Sequence, residues 1–198
     1  MTDDLGSARR IAELLVHLGR TACTEDTRSG LTAAQWTCLR FFASANGSTR
    51  TPSGFARFQA TTRGTASQTI KTLERRDLLI RHQSATDGRS VRFDLTAAGH
   101  AMLAEDPLRD LVGTVADLDP DQRADLLASL SRLAASVAGA RQTRAFGTCS
   151  DCTHFTPRGD SGYCSCMAVA LGSDEIEKLC ASYDGPVRAA QPEEGYTE

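Results

Sequence analysis

No run of about 18 apolar residues occurs anywhere in this chain of 198 residues, which excludes a membrane-spanning helix. The opening MTDDLGSARR is polar and lacks the apolar stretch of a secretory leader, so the cytoplasm is the expected compartment and no membrane partner is expected. Thiols stay reduced there, and clustered cysteines then point to metal or redox chemistry and not to a disulfide framework. No acid–base pair or nucleophile–base constellation stands out, which argues against an enzyme. A strong overall basic charge is missing too, since the net charge is −3, and the cysteine run of bacterial ferredoxins is absent.

What is present is ordinary in bulk and uneven along the chain. With 40% hydrophobic and 24% charged residues, the length suits one large domain or two small ones with a sizeable core. Charge is split by segment. Residues 50–92 carry nine Arg or Lys against Glu74, Asp77 and Asp87, a local +6, whereas residues 149–198 carry three basic and nine acidic residues, a local −6. The basic stretch can meet a polyanion although the whole chain is mildly acidic.

Periodicity gives the elements. Ile11, Leu14, Leu15 and Leu18 mark an amphipathic helix over 7–24. A second helix starts at Thr32 as N-cap and runs to Gly47 through Trp36, Leu39 and Phe41. A short helix over 53–60 turns Phe55 and Phe58 inward, and another follows with Ala66, Ile70 and Leu73 as its apolar stripe. The period then becomes two: LIRHQS and VRFDLT flank ATDGR, and Asp87-Gly88 between alternating runs is a hairpin signal. Helices are expected from Thr96 to about Ala104, stopped by Pro107, then over 108–118 and 121–141. The last has Asp119 as N-cap, Pro120 at its first position, and Leu126, Leu127, Leu130, Leu133 and Val137 on one face.

Three helices followed by a two-stranded wing is the winged-helix order. The flanking helices carry apolar faces that this unit does not cover, so a homodimer is inferred. LTAAQWTCLRFF followed by TIKTLERRDLLIRHQSATDGRSVRFDLTAAG resembles the MarR family of dimeric transcriptional regulators. The matching features are the Leu-Thr-x-x-Gln entry, Leu73-Glu74-Arg75-Arg76 with Leu78 ending the recognition helix, Asp87-Gly88-Arg89-Ser90 at the wing, and Leu95-Thr96-x-x-Gly99. One departure lies in SGFARFQATTRG, where two phenylalanines stand in place of the usual leucine–alanine pattern. The resemblance covers roughly residues 7–140. It implies a mainly helical fold with a small β-wing, N- and C-terminal dimerisation helices, and double-stranded operator DNA as partner. Thr65, Ser67, Gln68, Thr69 and Lys71 on the recognition helix offer groups at major-groove reach. Arg63, Arg75, Arg76 and Arg81 are expected at phosphates, and Arg89, held by Asp87, at the wing tip.

Five of the seven cysteines fall within 32 residues, as Cys149-x2-Cys152-x11-Cys164-x-Cys166-x13-Cys180. A Cys-x2-Cys turn lets two sulfurs reach one centre while distant cysteines arrive by chain return, a spacing that zinc and iron–sulfur sites share. Only one such turn exists, Thr153 stands where zinc ribbons often have glycine, and the setting YCSCMAVALG is apolar, which favours a cluster tuned by its surroundings. The pattern also resembles small cysteine-rich modules that bind iron–sulfur clusters. That resemblance implies a 4Fe-4S or 2Fe-2S centre on Cys149, Cys152, Cys164 and Cys180, with Cys166 as substitute. His154 is an alternate ligand or a hydrogen-bond donor to a cluster sulfur. Zinc, or redox disulfides without metal, are the alternatives. Cys23 and Cys38 read as buried helical thiols.

The expected organisation is a winged-helix DNA-binding and dimerisation domain over 1–145, a metal-bound module over 146–185 and a disordered acidic tail over 186–198. The expected function is a regulator whose operator affinity depends on the cluster through redox state, oxygen or iron. Two rivals are a small-ligand-responsive regulator with structural zinc and an electron-transfer or enzyme-accessory protein.

Overall fold

Among the described residues, four helices begin on threonine. Thr32, Thr51, Thr62 and Thr96 sit in extended backbone and each accepts a hydrogen bond from the amide three residues on, satisfying one of the free donors that open a helix. At Thr32 the bond is reciprocal, because the Gln35 side chain takes the Thr32 amide at 2.9 Å. The structure, a computed structural model, describes residues 2–22, 29–83, 91–143 and 145–185.

The order is α1 (Thr2–Ala22), α2 (Ala33–Ser44), α3 (Pro52–Phe58), α4 (Arg63–Arg75), β1 (Leu79–Gln83), β2 (Val91–Leu95), α5 (Ala97–Ala104), α6 (Arg109–Ala116), α7 (Pro120–Ala140), a 3-10 turn (Cys149–Asp151), β3 (Phe155–Arg158), β4 (Ser161–Cys164), β5 (Val169–Leu171) and α8 (Ser173–Ile176). Two sheets form: the antiparallel pair β1–β2, in register Leu79 opposite Leu95, and the antiparallel three-strand order β3-β4-β5. The chain divides into two units, Met1–Leu133 and Ala134–Glu198, so the division falls inside α7. No helix of the described residues is long and apolar enough to cross a membrane.

The core of the first unit is aromatic. Trp36, Phe41, Phe42, Phe55 and Phe93 are buried with Leu39, Ile70, Leu73 and Leu79. The Phe41 ring lies 5.5 Å from Phe55 and 5.1 Å from Phe58, and Phe42 lies 5.7 Å from Phe93. The two phenylalanines of α3 therefore join α2 to α3, and the contact explains their presence where leucine and alanine were the expected pattern. Phe55 is buried; Phe58, expected inward, stays 36% exposed while its ring covers Phe41. Gly99 is required by space, since a Cβ there would overlap the Leu78 carbonyl. Thr96 caps α5 and also donates its hydroxyl to the Asp77 carbonyl. The Leu-Thr-x-x-Gly element thus seats α5 against the end of α4.

That helix ends earlier than expected. α4 stops at Arg75, and Asp77 takes the left-handed conformation at φ 55°. The Leu78 amide reaches the Leu73 carbonyl and the Asp77 amide the Glu74 carbonyl, a Schellman closure with a non-glycine residue. Leu78, expected to end the helix, instead leads into β1. The same pair of bonds closes α3 at Ala60 and α7 at Gln142.

A buried ion pair fixes the corner after α5. Arg40 on α2 grips Asp106 through Nε to Oδ2 at 2.6 Å and Nη2 to Oδ1 at 2.5 Å, and its guanidinium lies 5.9 Å from the Trp36 ring centre. By contrast, the apolar residues of α1 and α7 stand free of the protomer. Ile11, Leu14, Leu15, Leu18, Leu126, Leu127, Leu130, Leu133 and Val137 are all exposed.

Candidate nucleic-acid interface and thiol cluster

One side of α4 is buried and the other is polar. Ala66, Ile70 and Leu73 face the core, while Arg63, Thr65, Gln68, Lys71 and Arg75 are exposed. Ser67 and Thr69 flank the buried stripe and are half-buried. No acidic residue occupies the first turn, so nothing there offsets the positive end of the helix dipole. The threonine hydroxyls are engaged: Thr65 with Thr62 at 2.9 Å, Thr69 with the Thr65 carbonyl at 3.2 Å and Thr72 with the Gln68 carbonyl at 2.9 Å. Arg81 is exposed on β1. Asp87 and Arg89, expected at the wing tip, lie outside the described residues, as does Cys23.

Two of the basic residues do structural work. Arg76, expected at a phosphate, donates to the Gly30 carbonyl at 2.9 Å and the Ser29 carbonyl at 2.8 Å, pinning the entry to α2. Arg50 pairs with Asp94 at 2.5 Å, and His82 approaches the other oxygen of that carboxylate at 3.3 Å. The Phe93 amide also donates to the Arg50 carbonyl, so the root of the wing is tied to the α2–α3 loop. Neither role was readable from sequence, because each joins residues dozens of positions apart with no periodic pattern. The free basic side chains are correspondingly fewer than the local +6 implies.

In the second unit, backbone pairing gathers the cysteines. The Cys152 amide donates to the Cys149 carbonyl at 3.0 Å in the 3-10 turn. Phe155 pairs with Cys164 across β3–β4, and Gly147 with Cys180 in an isolated bridge. The turn, the end of β4 and the returning strand thus bring Cys149, Cys152, Cys164 and Cys180 into one neighbourhood. Burial pushes the Cys149 thiol up to about 11, and Cys180, Cys164 and Cys152, together with Glu175, add to the rise as negative neighbours. Cys166 is exposed and is not among those neighbours.

Among the described residues from 145 onward, the buried ones are Cys149, Gly162, Cys164, Cys180 and Ala181. The small core is therefore largely sulfur. All six described cysteines are free thiols. Among the described residues, no three of His, Cys, Asp or Glu already close on a point as a metal-holding set. Thiolates are the donor type that a thiophilic metal takes, but the described side chains as placed do not form such a set.

Aromatic rings wall this core. Tyr183 lies on Gly147 and Phe155 on Gly162, where a Cβ would meet each ring. Burial raises the Tyr183 hydroxyl, helped by Asp151, Cys152 and Asp184. Thr153 holds Asp184 twice, by its amide at 2.8 Å and its hydroxyl at 2.9 Å. His154 Nε2 stands 3.9 Å from an Asp184 oxygen, and its carbonyl accepts from Ser165.

The sequence model of the MarR family matches residues 29–90. Among solved structures, MepR of S. aureus in its DNA-binding conformation is similar with a TM-score of 0.56 and 19% identity, covering 66% of this chain and 98% of that one. The transcriptional regulator SlyA is similar with a TM-score of 0.52 and 19% identity, covering 68% of this chain and 96% of that one. These likenesses show a shared winged-helix fold. No curated protein matches the sequence.

Proposed function

We propose that the chain is a homodimeric transcriptional regulator that binds double-stranded DNA through α4 and the wing. We further propose that its operator affinity depends on an iron–sulfur centre held by Cys149, Cys152, Cys164 and Cys180. The observation that carries the DNA-binding reading is the polar and basic side of α4, presented opposite its buried stripe on a winged-helix fold that MepR in its DNA-binding conformation shares. Lys71 and Arg75 supply charge for phosphates while shorter polar groups reach base edges. The exposed apolar stripes of α1 and α7 supply the surface that a second copy would cover.

The thiol core supports the second half of the reading. When bound, such a centre cross-links four thiolates and adds folding energy to a segment too small to build its own core. Cys149, Cys164 and Cys180 then lie inside, and Tyr183 and Phe155 shield them from water. α7 belongs to both units, which gives order in the module a route to the helix bearing Leu126, Leu127 and Leu130. A few kcal/mol of differential packing would shift the dimer between DNA-competent and incompetent arrangements.

A second reading replaces the cluster with one structural zinc, because four neighbouring thiols including one Cys-x2-Cys turn also make a tetrathiolate zinc set. Protein purified without oxygen separates the two. Broad visible absorbance with acid-labile sulfide is the expected result; a colourless protein with one zinc per chain decides for the second. Gel-shift titration of holo and apo dimer tests the regulation, and equal affinity in both forms would leave the centre without a regulatory role.

A further inference from the structure

We propose that Gln68 is the residue that reads a base, and that the base is an adenine in the major groove of the operator. This rests on the DNA-binding reading above. Gln68 lies two residues after buried Ala66 and two before buried Ile70. At about 100° per residue, both intervals place it on the opposite side of α4 from the core. Gly64, Lys71 and Arg75 lie four residues before, three after and seven after, so they share its ridge. All three are exposed. Gly64 has no side chain, and a Cβ there would meet only the Thr62 hydroxyl at 3.8 Å, which leaves the first turn open to close approach by a duplex.

The chemistry of that ridge is selective. Lys71 and Arg75 are donors only. Thr69 and Thr72 on the flank give their hydroxyl hydrogens to helix carbonyls, leaving methyl groups and lone pairs for a ligand. The Gln68 amide carries both a donor and an acceptor, and among the described residues it has no hydrogen-bond partner. Adenine presents N6–H2 as donor beside N7 as acceptor, which matches a primary amide at both points. Guanine presents two acceptors, so the amide oxygen would face O6; cytosine offers a donor alone and thymine an acceptor alone.

Selection of duplexes from a random pool, carried out on the whole protein, gives the operator. In that duplex one A·T pair is replaced in turn by a G·C pair and by 7-deazaadenine opposite thymine, which pairs normally but lacks the N7 acceptor. Wild-type affinity is expected to fall roughly 10- to 100-fold with guanine and roughly 10-fold with 7-deazaadenine. Gln68→Ala, an exposed change that should leave the melting temperature unaltered, is expected to bind all three duplexes equally. Gln68→Glu is expected to move the preference at that one position to cytosine, because a carboxylate only accepts. Identical selected sequences for wild type and Gln68→Ala, with strong duplex binding at low salt in both, would overturn the assignment while leaving the DNA-binding reading intact. No duplex retention at low salt by wild type would overturn both.

Discussion

Replacing Asp106 with alanine should show how firmly the corner between α5 and α6 is held. Its carboxylate accepts three hydrogen bonds: two from Arg40, at 2.6 and 2.5 Å, and one from the Leu108 amide at 2.8 Å. The side chains are enclosed, with 18% exposure for Arg40 and 12% for Asp106. Breaking a buried pair by deleting one partner costs about 3–5 kcal/mol, because a charge is left behind without its counterion. Water reaches this pair at its edge, which moves the expectation to the lower end, about 3 kcal/mol. Roughly 1 kcal/mol of that belongs to the lost hydrogen bond from the Leu108 amide. In a chain of this size each kcal/mol shifts the melting point by about 2–4 °C, so a drop of about 6–12 °C is expected. Thermal melts measure that drop and urea melts the free energy, both at one fixed protein concentration because a dimer's stability depends on it. The double variant Arg40→Met with Asp106→Leu removes both charges and should recover most of the loss. A loss under about 1 kcal/mol for Asp106→Ala, or a double variant as unstable as the summed single changes, would refute the account.

Cys38 is fully buried on α2, and desolvation drives its thiol far above the usual range. Its folded pKa therefore exceeds its unfolded one, so its contribution to stability is complete below about pH 8.5 and declines as pH rises further, by about 1.4 kcal/mol per pH unit. Chemical denaturation between pH 7 and 10 should show that limb, and Cys38→Ala should flatten it. Arg75→Ala should lower the salt dependence of DNA binding by about one counterion for each protomer on the duplex. Arg76→Ala should leave that slope alone and lower stability by about 1–2 kcal/mol through the Ser29 and Gly30 carbonyls; a changed slope for Arg76→Ala would show the two roles to be misassigned. Gly162→Ala places a Cβ in the Phe155 ring and close to the Thr156 carbonyl. Alkylation of Cys149 and Cys164 in the reduced protein, mapped by mass spectrometry, should accelerate, and an unchanged rate would mean that the ring does not guard the thiols.

The first unit was legible because its signals are local. Thr32 with Gln35, Thr96 with Gly99, and Asp119 before Pro120 each announce a helix start within three residues. The alternation in LIRHQ and VRFDL announces two strands of five residues, Leu79–Gln83 and Val91–Leu95. The phenylalanines of α3 were visible as an oddity but not as a ring cluster, since Phe41 and Phe42 lie on another helix. Arg76 read as one charge in a basic run, and only the folded path of the chain brings it to Ser29 and Gly30. In the second unit the sheet β3-β4-β5 gave no periodic signal. Its strands are three or four residues long and include Pro157, Gly162 and Cys164, which leaves too few alternating residues of high strand propensity to read.

Three helices change direction on residues that carry a side chain: α3 at Ala60, α4 at Asp77 and α7 at Gln142. A left-handed L-residue stores about 1–2 kcal/mol that glycine would not. It also explores less backbone space before folding, which offsets part of that strain. The gain is directional. A Cβ at each corner narrows the paths along which the chain can depart, so the angle between α3 and α4 is held by main-chain geometry as well as by packing. Under the DNA-binding reading proposed above, α4 would meet a duplex already set, and glycine at position 60 or 77 would make a steadier protein with a looser corner.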